Sequence, residues 1–334
     1  MNSLVRRKLW GATLAAGMLA ASGAWAQTVE WRFFTYFPVN DKPAQLNKTF
    51  AEDVTKATGG KLKITVLAAG ELPYKAPDVL RAVATNQVQM ADVALGFLAG
   101  DVPALNVMQL PFLCSSYAQF DAAIPAIAPV VDRELQSRYG VSVGVHWTMP
   151  SQNLWLNRPV ARLEDLKGLK VRAWNPEQVE MMKQLGGSAV SITSAEVIPA
   201  LERKVIDGAI TSALSANDWK AYEIVKTGYM LNLTMGHQVM LINAAEMAKL
   251  APDVRSTLQA KLREYAPLYR KMSEEGDLAA RRSLQANKVT LVEASSDDVQ
   301  RARASLKPMW ASWARSNGAT GQQLLDLASK GCGA

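Results

Sequence analysis

Histidine and cysteine are almost absent, with two of each in 334 residues. His146 and His237 are not spaced as H-E-x-x-H, and Cys114 and Cys332 form no C-x-x-C pair, so zinc and dithiol signatures are missing. There is no G-x-S-x-G elbow, no P-loop and no G-x-G-x-x-G after a strand. Glu177 and Glu180 stand at helical spacing, where a solvated helix face is the expected outcome rather than an acid–base pair. These gaps leave no motif for metal, nucleotide or nucleophilic chemistry, and call for no cofactor. A clustered basic stripe is lacking too; Arg281-Arg282 reads as a solvated helix face, so nucleic acid is not the expected partner. No repeat and no low-complexity tract is present.

Long apolar runs are scarce. The strongest lies at residues 9–21, behind Arg6, Arg7 and Lys8 and ahead of Ala24-Trp25-Ala26, the layout of a secretory leader over residues 1–26. A membrane span needs roughly 20 apolar residues, which this run does not supply, so no direct membrane insertion is expected. No cysteine follows the small-x-small site, which argues against a lipid anchor. Arg6-Arg7 raises a twin-arginine route, but the next residues fit it poorly and general secretion is favoured. Without the three leader cations the formal charge of +7 falls to +4, a mildly basic surface that suits an anionic partner. In an oxidising compartment Cys114 and Cys332 either bridge, or stand as a buried thiol and a loose one near the tail; both readings stay open.

What the chain does have is regular alternation of strand and helix patterns. Residues 30–35 and 61–68 show strand period, and between them residues 41–58 place Leu46, Phe50, Val54 and Ala57 at helical spacing before Gly59-Gly60. This order predicts an α/β fold with covered sheets. Strands are also expected at 88–95, 141–147, 189–192, 238–243 and 289–292. A helix at 120–139 is expected to break at Pro125 and Pro129, and one at 194–201 to be short or kinked by Pro199. Residues 252–283 read as one long helix with a kink at Pro267, and 299–315 as the last helix.

Residues 162–178 carry the most informative pattern. Leu169, Val171 and Ala173 alternate with Lys170, Arg172 and Trp174, a short strand. Asn175 then occupies an N-cap position, Pro176 the first helical position, and Gln178 lies three residues past the cap. Arg172 precedes that cap by three residues, and its planar fork of donors suits a carboxylate; an ordinary surface arginine on a strand is the competing reading. Lys167-Gly168-Leu169-Lys170-Val171-Arg172 followed by Asn175 resembles the core motif of the solute-binding proteins of TRAP (tripartite ATP-independent periplasmic) transporters. Gly70-Glu71-Leu72, Val88-Gln89-Met90-Ala91, Leu110-Pro111-Phe112-Leu113 and Asp207-Gly208 resemble further family segments in the same order. After Asp207-Gly208 the chain departs from the family pattern, and Thr211 stands where relatives carry an asparagine.

The resemblance implies a two-lobed, periplasmic-binding-protein-like α/β fold with hinge strands and a long domain-spanning helix. The lobes are expected over residues 27–146 with 234–272, and 147–233 with 273–330. It implies Arg172 as the group that holds a solute carboxylate. Asn175, Thr211, Trp174, Trp147, Phe34 and Glu71 are the further ligand-binding candidates, and the two histidines are expected at strand ends near the domain junction. Relatives often carry a second arginine at a place that here falls near Ser151. Its lack, with Trp174, leans the solute toward a monocarboxylate, a hydroxy, keto or aromatic acid. The implied partner is a TRAP membrane permease, the implied location the periplasm, and a monomer is expected. An exported enzyme acting on a small carboxylate, or a TRAP receptor for C4-dicarboxylates, is the alternative.

Overall fold

The computed structural model describes residues 28–334; the leader expected over residues 1–26 lies outside the described residues. Strands run in chain order as β1 (Val29–Thr35), β2 (Leu62–Leu67), β3 (Met90–Ala94), β4 (Val141–Met149), β5 (Asn153–Leu156), β6 (Lys170–Ala173), β7 (Ser188–Ser191), β8 (Gly208–Thr211), β9 (Thr227–Met230), β10 (Gly236–Asn243) and β11 (Thr290–Glu293). They form two sheets, one ordered β2-β1-β3-β10-β4 and the other β11-β9-β5-β8-β6-β7. In the first, β1 is parallel to β2 and β3, and β10 is antiparallel to β3 and β4. In the second, β6 lies parallel between β7 and β8, while β5 is antiparallel to β8 and β9. Each sheet is the centre of one lobe of a two-lobed α/β fold.

Between strands of the two sheets the chain crosses twice. β4 stays in the first sheet as far as Met149, and β5 opens the second at Asn153; the return falls between Met230 and Gly236. The expected boundary after residue 146 therefore moves past Met149, because backbone pairing with β10 continues to Gly236–Met149. The two crossing segments bind each other, Gln152 N–H to Thr234 O and Leu233 N–H to Gln152 O, both at 2.9 Å. The helix Pro252–Ala286 is a third link. Leu258, Leu262, Tyr265 and Tyr269 bury in the first lobe's core, and Ala280 and Leu284 in the second's.

Three helical expectations change. Pro125 and Pro129 sit inside one unbroken helix, Tyr117–Tyr139. Both prolines are on the exposed face, and the carbonyls they free, at Asp121 and Pro125, belong to exposed residues that water can satisfy. The last helix is instead three, Ser296–Leu306, Pro308–Ser316 and Gly318–Cys332, divided at Pro308 and Gly318. The last two bury Trp310, Trp313 and Leu324 with the first lobe's core, not the second's as the expected range 273–330 had it. Trp310 Nε1–H fixes that placement by donating to Pro111 O at 3.0 Å.

The run Leu110-Pro111-Phe112-Leu113 is more than a buried turn. Phe112 adopts φ 57°, a costly conformation for a bulky residue, worth on the order of 1–3 kcal/mol. The inversion sends its ring into the second lobe's core while Leu110 and Leu113 stay in the first. Phe112 N–H donates to Leu233 O at 2.7 Å, and Arg303 Nη2 donates to Phe112 O at 3.1 Å, so the strained residue is held by both backbone groups.

Candidate functional site

Five strands of the two sheets end at one place between the lobes. β1 ends ahead of Tyr36 and Phe37, β3 at Ala94, β6 ahead of Trp174, β7 ahead of Ser194, and β8 at Thr211; all of these line one cavity. Carboxyl ends of parallel strands are where ligands bind in α/β sheets, since loops there are free to vary. The crossing residue Gln152, with Met149 at the end of β4 and Gln238 on β10, completes the wall on the hinge side, and Ser215 and Trp219 close it from the second lobe.

Arg172 is the cavity's cation. Val171 turns into the second lobe's core, so the strand's alternation sends Arg172 the other way. Arg172 is 2% exposed. Nε donates to Ile192 O at 2.8 Å and Nη1 to Ile210 O at 3.0 Å, which fixes the fork between β7 and β8. Nη2 makes no hydrogen bond to any described residue, and no described carboxylate forms an ion pair with the group. Burial pulls its pKa down to about 9, still high enough to keep the charge at neutral pH. The ring of Trp219 lies 5.7 Å from the guanidinium carbon. A buried cation with donors free and no acid beside it is costly unless an anion arrives.

The rest of the wall is aromatic and amide. Trp174 Nε1–H donates to Gln152 Oε1 at 3.3 Å, and Phe97 lies 5.2 Å from the Trp174 ring between centroids. Gly96 lets that indole lie flat, since a Cβ there would overlap the Trp174 ring. Tyr36 O–H donates to Gln238 Oε1 at 3.0 Å, and burial raises its pKa well above the usual phenol range. The site can therefore hold an acid and surround it with ring faces and neutral donors.

Of the candidates from sequence, the fold brings Arg172, Trp174 and Thr211 into the cavity. Asn175 caps the helix Pro176–Gln184, its Oδ1 accepting from Gln178 N–H at 2.8 Å, and its Nδ2 turns to Gln109 rather than into the cavity. Trp147 stands behind the wall, its centroid 6.3 Å from Phe37 and 5.2 Å from Tyr269. Phe34 faces Tyr74 in a neighbouring chamber. Glu71 is an exposed turn residue whose carboxylate accepts from Ala68 N–H at 2.6 Å. His146 and His237 do not line the cavity; they meet each other, Nδ1 to Nε2 at 3.0 Å, because strand alternation gives the cavity side of β10 to Gln238. Glu177 is not on a solvated face: it receives Asn106 Nδ2 from the other lobe, and burial raises its pKa to about 7.

Tyr36, Phe37, Phe97, Gln152, Ser215, Trp219 and Gln238 were not foreseen. The end of a parallel strand is a signal that marks Tyr36 and Phe37. Trp219 follows a six-residue helix, Ala213–Asp218, too short for periodicity to show.

A family model described as bacterial extracellular solute-binding protein, family 7, matches residues 37–317. The chain belongs to this family, the solute receptors of TRAP transporters. A solute-binding protein of Albidiferax ferrireducens is 27% identical over 265 residues, 76% of this chain and 78% of that one. The fold is similar to DctP6 of Bordetella pertussis, an extracytoplasmic solute receptor binding pyroglutamic acid, with TM-score 0.86 and 27% identity over 90% of this chain and all of that one. It is similar also to a marine metagenome TRAP solute-binding protein specific for pyroglutamate, with TM-score 0.85 and 26% identity over 91% and 99%. The family is extracytoplasmic, and among the described residues no helix is long and apolar enough to cross a membrane.

Proposed function

We propose that this receptor captures a small monocarboxylate in the interlobe cavity and hands it unchanged to a TRAP permease. The leader is removed after Ala26, and the mature chain works as a monomer in the periplasm. The carboxylate sits on Arg172, taking Nη2 and the remaining Nη1 hydrogen as parallel donors, and Thr211 and Ser215 lie within the same wall. One observation carries the reading: a fully buried guanidinium that keeps its charge and has no acid among the described residues to pair with.

The lining supports the monocarboxylate. Among the described residues the cavity's walls contain Arg172 and no second cation, so a second carboxylate would face Trp174, Phe97 or an amide. Pyroglutamate, the ligand of the two similar receptors, is a compact monocarboxylate with one amide to engage Gln152 or Gln238. A hydroxy, keto or aromatic acid of similar bulk fits the same description.

Isothermal titration with pyroglutamate, lactate, phenylacetate and succinate tests this. One of the monocarboxylates is expected to bind with one-to-one stoichiometry, more tightly than succinate, and to be recovered unaltered. Arg172→Ala is expected to lose about 2–5 kcal/mol of affinity. Wild-type affinity in that variant, or conversion of the solute, would overturn the reading.

A further inference from the structure

A second and larger chamber adjoins the Arg172 cavity between the same two lobes. Its wall is mainly apolar, with Phe34, Leu72, Pro73 and Tyr74 from the first lobe. The ion pair of Lys75 Nζ and Glu196 Oε1, at 3.0 Å, spans the lobes on its rim. Tyr36 lines both chambers. Opposite it, Ser194 faces the first chamber, whereas Thr193, Ala195 and Glu196 face the second.

Tyr36 is a fixed partition. Its ring centroid lies 4.1 Å from that of Phe37 and 5.2 Å from that of Phe97, and its hydroxyl is tied to Gln238 at 3.0 Å. A side chain packed against two neighbouring rings and tied at its tip does not swing aside without losing all three contacts. Solutes anchored on Arg172 therefore meet a wall in the direction of the larger, apolar space.

We infer that Tyr36 is a specificity-determining residue that limits solute length, and that removing its ring opens the second chamber to the aryl or alkyl tail of a longer carboxylic acid. The inference rests on the carboxylate being held by Arg172. It differs from that reading in what it demands: not that acids bind, but that a specific aromatic ring excludes the long ones.

The test compares pyroglutamate with 5-phenylpentanoate by titration calorimetry on wild type, Tyr36→Ala, Tyr36→Leu and Tyr36→Phe. In the wild type the long acid is expected to bind at least about tenfold more weakly than the short one. Tyr36→Ala is expected to narrow or close that gap, raising affinity for 5-phenylpentanoate at least about tenfold, with Tyr36→Leu intermediate. Tyr36→Phe, which keeps the ring and loses only the hydroxyl contact, is expected to retain the wild-type ratio of the two affinities. Equal wild-type affinity for both acids overturns the size limit, as does the absence of any gain in folded Tyr36→Ala or Tyr36→Leu that still binds pyroglutamate. Wild type that binds no carboxylate at all overturns both this inference and the reading beneath it, and is thereby distinguished from failure of the size limit alone.

Discussion

Trp219 of the second lobe donates its Nε1 hydrogen to Asp41 of the first, at 3.2 Å. The exchange is reciprocal, since Asp218 accepts from the backbone N–H of Lys42 at 3.0 Å. The same indole lies over Arg172, so the ring that covers the buried cation is held by a bond that exists only while the lobes are together. Asp41→Ala removes an acceptor that does not line the cavity. It is expected to weaken solute binding by about 5–30-fold, the worth of one hydrogen bond to a buried carboxyl. Calorimetry on that variant decides it: an affinity within twofold of wild type would show that the bond contributes nothing to closure.

Asp41 also makes the fold sensitive to pH. Burial, helped by the nearby Asp218 carboxylate and opposed by the Trp219 bond, raises its pKa to about 8. Burial likewise raises Asp92 and Glu177 to about 7. The folded chain thus holds protons that the unfolded chain releases near pH 4, so these groups stabilise fully below that pH and lose their contribution as pH rises through 7 to 8. His237, buried and depressed, acts with the opposite sign, gaining stability as pH rises toward 6.5, and is silent above it. The clean window is therefore pH 6.5 to 8.5. Across it the chain is expected to lose on the order of 2 kcal/mol, and the melting temperature on the order of 5 °C. Asp41→Asn is expected to flatten that slope. A melting temperature that climbs with pH in this window would contradict the assignment.

How far the sequence reveals this arrangement depends on the range over which each feature is encoded. The short strand, the Asn175 cap and the Arg172 direction are local, because alternation and capping act over three or four residues. Trp174 and Thr211 follow from the family motif. Phe34 and Trp147 have the right chemistry, but a single residue of strand register separates a cavity wall from a core, and nothing nearby in sequence sets that choice. Tyr36 and Trp219 meet their partners Gln238 and Asp41 across separations of 202 and 178 residues. Such pairings come from the closing of the lobes. The unbroken Tyr117–Tyr139 helix carries the same lesson, since its two prolines are tolerated only because tertiary packing leaves their face toward water.

Gly96 offers a test of the aromatic wall that removes no polar side chain. Its hydrogen faces the six-membered ring of Trp174, and a methyl there would overlap that ring and crowd Asn175 Nδ2. Gly96→Ala is expected to push the indole out of plane, break its 3.3 Å bond to Gln152, and cost about 1–3 kcal/mol of stability. Solute affinity should fall as well, because the displaced ring enters the cavity. Thermal denaturation and calorimetry read the two effects separately. Unchanged values of both would mean that the wall is more yielding than its packing suggests.

The two cysteines are bonded to each other, Cys114 to Cys332, with their Cα atoms 5.3 Å apart at a sequence separation of 218. The bond fastens the C-terminal helix Gly318–Cys332 to the first lobe. Two contacts show how closely it lies: Gln119 Nε2 donates to Cys332 O at 2.8 Å, and Gly331 faces Ala123 with no room for a side chain. Closing so long a loop removes much of the unfolded chain's freedom, so Cys332→Ser, or reduction of the wild type, is expected to cost about 2–5 kcal/mol. The melting temperature should fall by roughly 5–15 °C. Solute affinity at 25 °C should change less than about twofold, because no residue of that helix lines the cavity. A loss of affinity without a fall in melting temperature would place the helix in the binding cycle rather than in the scaffold, and would reverse this assignment.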